Sequence, residues 1–401
     1  MAAKIAIVPE PARLVAMCDE ARVIGEAVAR NPENDNLRAR LAGLLIELDE
    51  FDRVIDLLGG VAPSRLASSE WLKLAKAAFS RRRPGDLELA EAAAAHALES
   101  ADSEPVVALA LSELAKADFR RELREQGVDR LEQALELDPA CRLAFKRLSR
   151  ELLRRGDCAR ALEVAEGIWS RGLHHTRALA VRTIALARLG RIEEARVCSG
   201  IDSNVTQCQL PAPPGWADLA SFNRRLADEL LQNPGLRFDR YGVASQNTFR
   251  VDTPQMVNAP AVSALIAMLA ERVSDHVSSM GDYPDLWREA RPERAQLQSW
   301  SVHAQPDGYE EWHIHPHGWM SGGYYVDVPT DVVRGSDERG CIAFGLPGSS
   351  ASADVCTAFG TRVLRPQPGS LVLFPSQLHH RTFAHQSSGR RICLAFDIVP
   401  H

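Results

Sequence analysis

Histidines cluster near the C-terminus of the sequence, and imidazole is the commonest protein ligand of transition metals. His313, His315 and His317 occur in EEWHIHPHGWMSGG, and His379 and His380 occur in FPSQLHHRTF. Residues two apart on a strand point to the same face, so His313 and His315 can offer two imidazoles to one ion. A third imidazole from a distant strand would complete a facial set that leaves metal positions open. Non-haem iron sites are built in this way, normally from two histidines and a carboxylate.

Arg391 follows the second histidine cluster. Strand alternation predicts that it shares a face with Cys393 and Ala395. A guanidinium can hold a carboxylate through two parallel hydrogen bonds, which is what a bound diacid cosubstrate needs. Burial of Arg391 beside the histidines would therefore favour a diacid cosubstrate, whereas an exposed Arg391 would favour a site without one.

These residues belong to a C-terminal region that is predicted to be rich in strands. Two helices are predicted before it, at about 217–232 and 260–279. Runs of apolar or alternating residues between turn signals predict the strands. The four runs are AQLQSWSVH (295–303), SGGYYVDV (321–328), GSLVLFPSQLHHRTF (369–383) and RRICLAFDIV (390–399).

The first half of the sequence has helical periodicity and is rich in Ala, Leu, Arg and Glu. Gly156 and Gly190 are 34 residues apart, and so are Ala161 and Ala195. This is the period of tetratricopeptide repeats, in which a Gly lets two helices fold back and a small Ala lets their backbones approach. About five such repeats are predicted.

A proline-rich segment separates the two halves. Pro211, Pro213, Pro214 and Gly215 interrupt the helical pattern. The predicted domains are therefore a helical repeat domain at 1–200, a linker at 201–216 and a strand-rich domain at 217–401.

Composition and charge limit the classes of protein. The sequence has 45% apolar and 25% charged residues, which is typical of globular proteins, and its net charge of −6 disfavours nucleic acid as the main partner. No run approaches the roughly 20 apolar residues of a membrane span. The cysteines form no C-x-x-C pair, which favours reduced thiols in a cytoplasmic protein over disulfides or a thiolate zinc site. They are Cys18, Cys141, Cys158, Cys198, Cys208, Cys341, Cys356 and Cys393.

From about residue 217 onward the sequence resembles the prolyl-hydroxylase-like branch of the iron(II)/2-oxoglutarate oxygenases. The resemblance rests on HIHPHGWMSGGYYVDVP, GSLVLFPSQLHHRTF and RRICLAFD, which occur in the family's order. It implies a double-stranded β-helix, which is a jelly-roll or cupin-like fold with flanking helices. The helical half resembles tetratricopeptide-repeat solenoids, which are protein- or peptide-binding scaffolds with a concave groove.

The resemblance also implies roles for individual residues. His315 and His380 would bind Fe(II), with His313 as the third member of the set. Arg391 would bind the distal carboxylate of 2-oxoglutarate, and Tyr325 would donate a hydrogen bond to the same cosubstrate.

Two positions depart from the family pattern. The usual His-x-Asp is His313-Ile314-His315 here, which leaves a set of three imidazoles or a set of two imidazoles with extra water. Cys393 stands where Ser or Thr often helps the arginine hold the cosubstrate carboxylate. Because a thiol is a weaker hydrogen-bond donor, a lower affinity for the cosubstrate is expected.

The function implied by the resemblance is that of a cytoplasmic dioxygenase. It would use Fe(II), 2-oxoglutarate and O2 to hydroxylate a C–H bond, and its repeats would recruit a protein or peptide substrate. One alternative is a biosynthetic hydroxylase of a small molecule. Others are a catalytically weak binding scaffold and a three-histidine dioxygenase that uses no 2-oxoglutarate. The repeats could also serve only to form a homodimer or to rigidify the enzyme.

Overall fold

The computed structural model describes residues 4–281 and 285–401, and the chain divides into two compact units. The helical unit is Val15–Asp157. The second unit, called the β unit here, joins Met1–Leu14 to Cys158–His401. In sequence, the helical unit is therefore an insertion into the β unit.

The helical unit is an array in which each helix packs against the next one along the chain. Small side chains line the helix crossings, where Ala75, Ala93, Ala94 and Ala115 are fully buried, and this allows the backbones to approach closely. The helices are α1 (Met17–Arg30), α2 (Asp35–Glu47), α3 (Phe51–Gly59), α4 (Ser68–Arg81), α5 (Asp86–Glu99), α6 (Glu104–Arg120), α7 (Arg124–Leu137) and α8 (Arg142–Arg155), with a short 3-10 helix at Pro63–Arg65.

A buried ion pair joins two helices of this unit. Arg38 on α2 and Glu70 on α4 are both 2% exposed, and the arginine makes two hydrogen bonds to the carboxylate, at 2.9 and 3.2 Å. Burying two charges is costly, and removing Glu70 alone would leave the buried guanidinium with only the exposed Asp35 as an ionic partner.

The last helices of the repeat pattern make most of their contacts with the β unit and are therefore part of it. They are α9 (Cys158–Ser170), α10 (Thr176–Arg188) and α11 (Ile192–Ser199). Gly156 and Gly190 have φ values of 84° and 79°, which are left-handed turn conformations that favour glycine. Ala161 and Ala195 are fully buried, as the 34-residue spacing predicts.

Within the described residues, eleven strands form two sheets in the β unit. The order of the larger sheet is β2-β9-β6-β11-β5-β4-β3, with β1 also paired to β5, and the order of the smaller sheet is β10-β7-β8. All pairings are antiparallel except that of β1 with β5. The strands are β1 (Ala6–Pro9), β2 (Thr206–Gln209), β3 (Arg237–Phe238), β4 (Ser245–Val251), β5 (Arg294–Glu310), β6 (Met320–Asp327), β7 (Ile342–Phe344), β8 (Arg362–Leu364), β9 (Ser370–Pro375), β10 (His380–Thr382) and β11 (Arg391–Pro400).

Helices flank the sheets. The two predicted helices are α12 (Leu219–Leu231) and α13 (Pro260–Ser279); three short ones are α14 (Leu286–Glu289), α15 (Thr330–Arg334) and α16 (Ala353–Phe359).

Strand β11 shows most clearly how successive side chains alternate between the two faces of the larger sheet. Its residues Ile392, Leu394, Phe396 and Ile398 are fully buried in the same apolar core as α12 and α13. The residues between these four point to the opposite face of the sheet.

The predicted fold class, helical repeats followed by an antiparallel β domain with flanking helices, is confirmed. The two sheets stay separate in the described residues, so the strands do not close into a barrel. No helix within the described ranges is long and apolar enough to span a membrane.

The compact units do not coincide with the domains predicted from the sequence. The segment 201–216, predicted as a linker, contains β2, which pairs with β9 in the larger sheet. The division into 1–200, 201–216 and 217–401 stays a prediction about sequence domains.

Candidate functional site

A cavity with an empty volume of about 470 Å³ lies between the two sheets. Its walls come from β5, β6, β9 and β11 of the larger sheet and from β7 and β10 of the smaller one. A Cβ on Gly323 would lie 3.1 Å from the Cys393 sulfur, so the glycine allows these two strands to face the cavity without crowding.

Three histidines lie close together, and two of them, His315 and His380, line this cavity. The ligand-capable atoms of His313, His315 and His380 all lie within 4.8 Å of one another. His313 and His380 exchange two backbone hydrogen bonds of 3.0 Å, and the backbone amide of His315 donates to the Ser376 carbonyl at 3.0 Å. The predicted strand through His313 and His315 is absent: His313 forms only an isolated bridge with His380. This bridge, rather than strand alternation, brings the imidazoles together.

Each imidazole has an acceptor at Nδ1. The Nδ1 atom lies 2.7 Å from the Glu311 carbonyl in His313, 2.5 Å from Asp397 Oδ1 in His315 and 3.0 Å from the Leu378 carbonyl in His380. A proton on Nδ1 satisfies these acceptors and leaves the lone pair of a neutral ring on Nε2. Three rings in this tautomer present three Nε2 lone pairs.

The arrangement of these lone pairs fits a metal ion. Nε2 of His315 lies 3.3 Å from Nε2 of His313. Two nitrogens bound to one ion at 2.0–2.1 Å and at right angles are separated by about 3 Å. Two facing lone pairs repel without a cation between them, so the donor set suits a divalent transition metal such as Fe(II).

Burial keeps two of the rings neutral. It lowers the pKa of His313 and lowers that of His380 well below its usual value. Desolvation disfavours the charged imidazolium, and the neighbouring histidines act in the same direction. Neutral rings at neutral pH are the form that binds a metal.

Arg391 is buried beside the histidines. It is 3% exposed and lines the cavity that His315 and His380 also line. Its Nε donates to the Gly340 carbonyl at 3.1 Å, and its guanidinium lies 5.3 Å from the centre of the Tyr325 ring. Among the described residues it has no ion pair and no other hydrogen bond, so both terminal nitrogens are available to a ligand.

Tyr325 and Cys393 line the same cavity on adjacent strands. Burial raises the pKa of both groups, that of Cys393 to about 12, so both keep their protons at neutral pH. The hydroxyl can therefore donate a hydrogen bond, and the thiol is a weak donor. Arg391, Cys393 and Ala395 all face the cavity, as the strand alternation predicts.

Comparison with known families gives a match within the β unit. Residues 298–397 match a family model described as "Putative 2OG-Fe(II) oxygenase". The chain carries a domain of the 2OG-Fe(II) oxygenase type. This match contains the three histidines, Tyr325, Arg391 and Cys393. No curated protein matches the chain.

Solved structures show weak similarity to each part of the chain. A Pseudomonas putida prolyl-4-hydroxylase is 16% identical with a TM-score of 0.33, and the match covers 50% of this chain and 96% of that one. YrrB, a tetratricopeptide-repeat protein with an unusual peptide-binding site, is 16% identical with a TM-score of 0.32, covering 44% and 93%. SnoK, a non-haem α-ketoglutarate-dependent carbocyclase from nogalamycin biosynthesis, is 13% identical with a TM-score of 0.34, covering 51% and 82%. The description of the fold therefore rests on the observed helix array and sheet order and not on these matches.

Two further acidic residues of the oxygenase-type domain lie at the site and were not predicted from the sequence. Asp397 contacts His315 and is 9% exposed. It continues the alternating series of Arg391 and Cys393, so strand periodicity could have revealed it. Glu310 lines the cavity at the end of β5; burial opposes its charged form, but nearby cations, Arg250 and Arg391 among them, hold the pKa of its carboxyl below its usual value. No local pattern in the sequence marks it.

The last repeat helices contact the oxygenase-type domain close to the histidines. Thr176 Oγ1, at the start of α10, donates to the Gly318 carbonyl at 2.5 Å. The Gln377 side chain donates to the Cys198 carbonyl at 3.4 Å, three residues before His380. The loops that follow His315 and precede His380 are thus both tied to this helix pair.

Proposed function

We propose that the chain is a dioxygenase that uses Fe(II) and O2 to couple the decarboxylation of 2-oxoglutarate to the hydroxylation of a C–H bond. The observation that carries the proposal is that a buried arginine with two available nitrogens shares a cavity with His315 and His380, which form a three-histidine group with His313. The match of residues 298–397 to a 2OG-Fe(II) oxygenase family supports the same reaction class.

In this proposal His313, His315 and His380 hold the iron through Nε2. All three have an acceptor at Nδ1, which supports a set of three imidazoles over a set of two imidazoles with extra water. Bound iron(II) supplies the activation of dioxygen that side chains alone cannot provide. The chain orients the reactants and keeps bulk water away.

Arg391 binds the distal carboxylate of 2-oxoglutarate with its two terminal nitrogens. Such charge-assisted pairs are stronger than neutral hydrogen bonds. Tyr325 donates its hydroxyl to the same cosubstrate, whereas the neutral thiol of Cys393 adds little. Val372 and Phe374 are buried in the wall and exclude water, which strengthens the ion pair.

The substrate proposed is a side chain of a protein or peptide, recruited by the helical repeats in a reducing compartment such as the cytoplasm. Two contacts favour a role for the repeats near the site: those of Thr176 with Gly318 and of Gln377 with Cys198. A small-molecule hydroxylase with repeats that serve assembly, including a homodimer, is the alternative within the same reaction class.

The first experiment is anaerobic titration of the iron-loaded protein with 2-oxoglutarate, followed by absorption spectroscopy. We expect a weak visible charge-transfer band that saturates with one equivalent. Admission of O2 should then yield succinate and CO2 in equal amounts. A stoichiometric iron complex that gives neither the band nor succinate would refute the reaction class.

A three-histidine dioxygenase that oxidises its substrate directly is the second candidate function. The three imidazoles favour this second function, because three histidines can bind iron in a dioxygenase that needs no cosubstrate. The presence of Arg391 in the cavity opposes it, since this buried guanidinium makes no ion pair among the described residues and its two terminal nitrogens suit an anionic ligand. The same titration separates the two candidates.

A further inference from the structure

Asp397 is the acidic residue in direct contact with one of the three histidines. Its Oδ1 lies 2.5 Å from His315 Nδ1 and accepts a second hydrogen bond, of 2.7 Å, from the Ser321 hydroxyl. Ser321 is in turn 2.6 Å from the hydroxyl of Ser376. Both serines are fully buried, so this network is part of the protein interior.

The carboxylate of Asp397 has neither a lysine nor an arginine as a partner in the part of the chain that the structure describes. Within the described ranges no Lys or Arg pairs with Asp397, and its side-chain hydrogen bonds come only from His315 and Ser321. A buried carboxylate without a counter-charge is costly. A dication held on the opposite side of the His315 ring would supply that counter-charge through the imidazole.

The same network fixes the histidine from two directions. Ser376 accepts the backbone amide of His315 through its carbonyl, while its hydroxyl is joined to Ser321. A Cβ on Gly318 would come within 2.5 Å of the Ser376 hydroxyl and 3.1 Å of the Asp397 carboxyl carbon, so the chain passes tightly over the network. The ring of His315 is therefore held in one orientation, with Nε2 toward His313.

We infer that Asp397 is a positioning residue that holds His315 in its metal-binding tautomer. In a His-x-Asp motif the carboxylate binds the metal directly, whereas the carboxylate of Asp397 contacts a histidine that binds the metal. The carboxylate polarises Nδ1–H and makes Nε2 a stronger donor. Outer-shell carboxylates of this kind change metal affinity by about 10–100-fold when they are mutated. The inference rests on the proposed function, because it requires His315 to be a metal ligand.

The test is the affinity of the full-length protein for Fe(II), measured anaerobically by competition with a chromogenic chelator, together with the visible spectrum of the Co(II)-substituted protein. Asp397→Asn keeps the size of the side chain and a carbonyl that can accept from Nδ1–H, and it removes only the charge. We expect about 10–100-fold weaker Fe(II) binding and a shifted Co(II) spectrum. If Asp397 only packs the interior, affinity and spectrum will match those of the wild type, and the inference is overturned.

Asp327→Asn is the matched control. Asp327 lies on the neighbouring strand β6, is 38% exposed in its side chain and pairs with Arg390, so its removal should leave the affinity for Fe(II) within twofold. If Asp397→Asn does not fold, Ser321→Ala takes its place, because it removes one of the hydrogen bonds that hold the carboxylate. Unchanged Fe(II) affinity in a folded Ser321→Ala protein would then overturn the inference.

His315→Ala separates the inference from the function on which it rests. If wild-type protein binds no Fe(II), or His315→Ala binds it as well as the wild type, the proposed metal set is wrong and the inference fails with it. If His315→Ala loses Fe(II) and Asp397→Asn does not, the metal set stands and only the role of Asp397 is refuted.

Discussion

Replacement of Arg391 by Met tests the cosubstrate site most directly. Met keeps the length and the apolar stem of the side chain, so packing against Tyr325 and the wall is largely retained. It removes the two terminal nitrogens, which have no partner among the described residues. Two charge-assisted hydrogen bonds, at about 1.5 kcal/mol each, amount to about 3 kcal/mol, or roughly a 150-fold loss in affinity for 2-oxoglutarate.

The assay is calorimetric titration of the Mn(II)-loaded protein with 2-oxoglutarate, which measures binding without turnover. Arg390→Met is the matched control, since the Arg390 side chain is 59% exposed and pairs with Asp327 at 3.5 Å. We expect it to change the affinity less than twofold. A loss below about fivefold in Arg391→Met would show that the carboxylate of the cosubstrate is bound elsewhere, and the assignment of Arg391 would fail.

Three further substitutions test other parts of the structure. His380→Ala should abolish stoichiometric Fe(II) binding in a folded protein, and a variant that keeps one tightly bound iron by atomic spectroscopy would exclude His380 as a ligand. Glu70→Ala leaves the buried Arg38 with only the exposed Asp35 as an ionic partner and should lower the free energy of unfolding of the helical unit by about 2 kcal/mol in urea denaturation, whereas Glu33→Ala, at an exposed ion pair, should change it by less than about 1 kcal/mol. Burial lowers the pKa of Lys116 to about 8, so the charged form is disfavoured in the folded state. Lys116→Met should therefore stabilise this unit most below pH 8 and lose that advantage as the pH rises through 10.5, and a melting-temperature gain independent of pH would contradict the reasoning.

Local signals in the sequence were sufficient to predict the repeat helices and the residues on one face of β11. Gly156 and Gly190 take the left-handed turns that their spacing predicts, because helical repeats need a glycine where the chain folds back. Arg391 and Cys393 face the cavity, because strand alternation is fixed by backbone geometry and needs no knowledge of distant contacts.

The features that were not predicted depend on pairing between residues far apart in the sequence. His313 was expected on a regular strand, yet it forms only a bridge with His380, and no local pattern reports a partner 67 residues away. The strand β2 was hidden in the proline-rich segment, since it becomes a strand only by pairing with β9. Asp397 was overlooked because a carboxylate at a strand position usually faces solvent, and its significance depends on the ring of His315.

The pairing of β1 with β5 has a consequence for the synthesis of the protein. Ala6 pairs with Arg294, so the two strands are 288 residues apart in sequence, and the whole helical unit lies between them. At translation rates of about 5–20 residues per second, β1 waits roughly 15–60 s for its partner strand to be made. The helical unit relies on neighbouring contacts and can fold within that time, whereas the backbone groups of β1 stay without their partner strand until β5 emerges. The parallel pairing of β1 with β5 is therefore completed only after the helical unit has had time to fold.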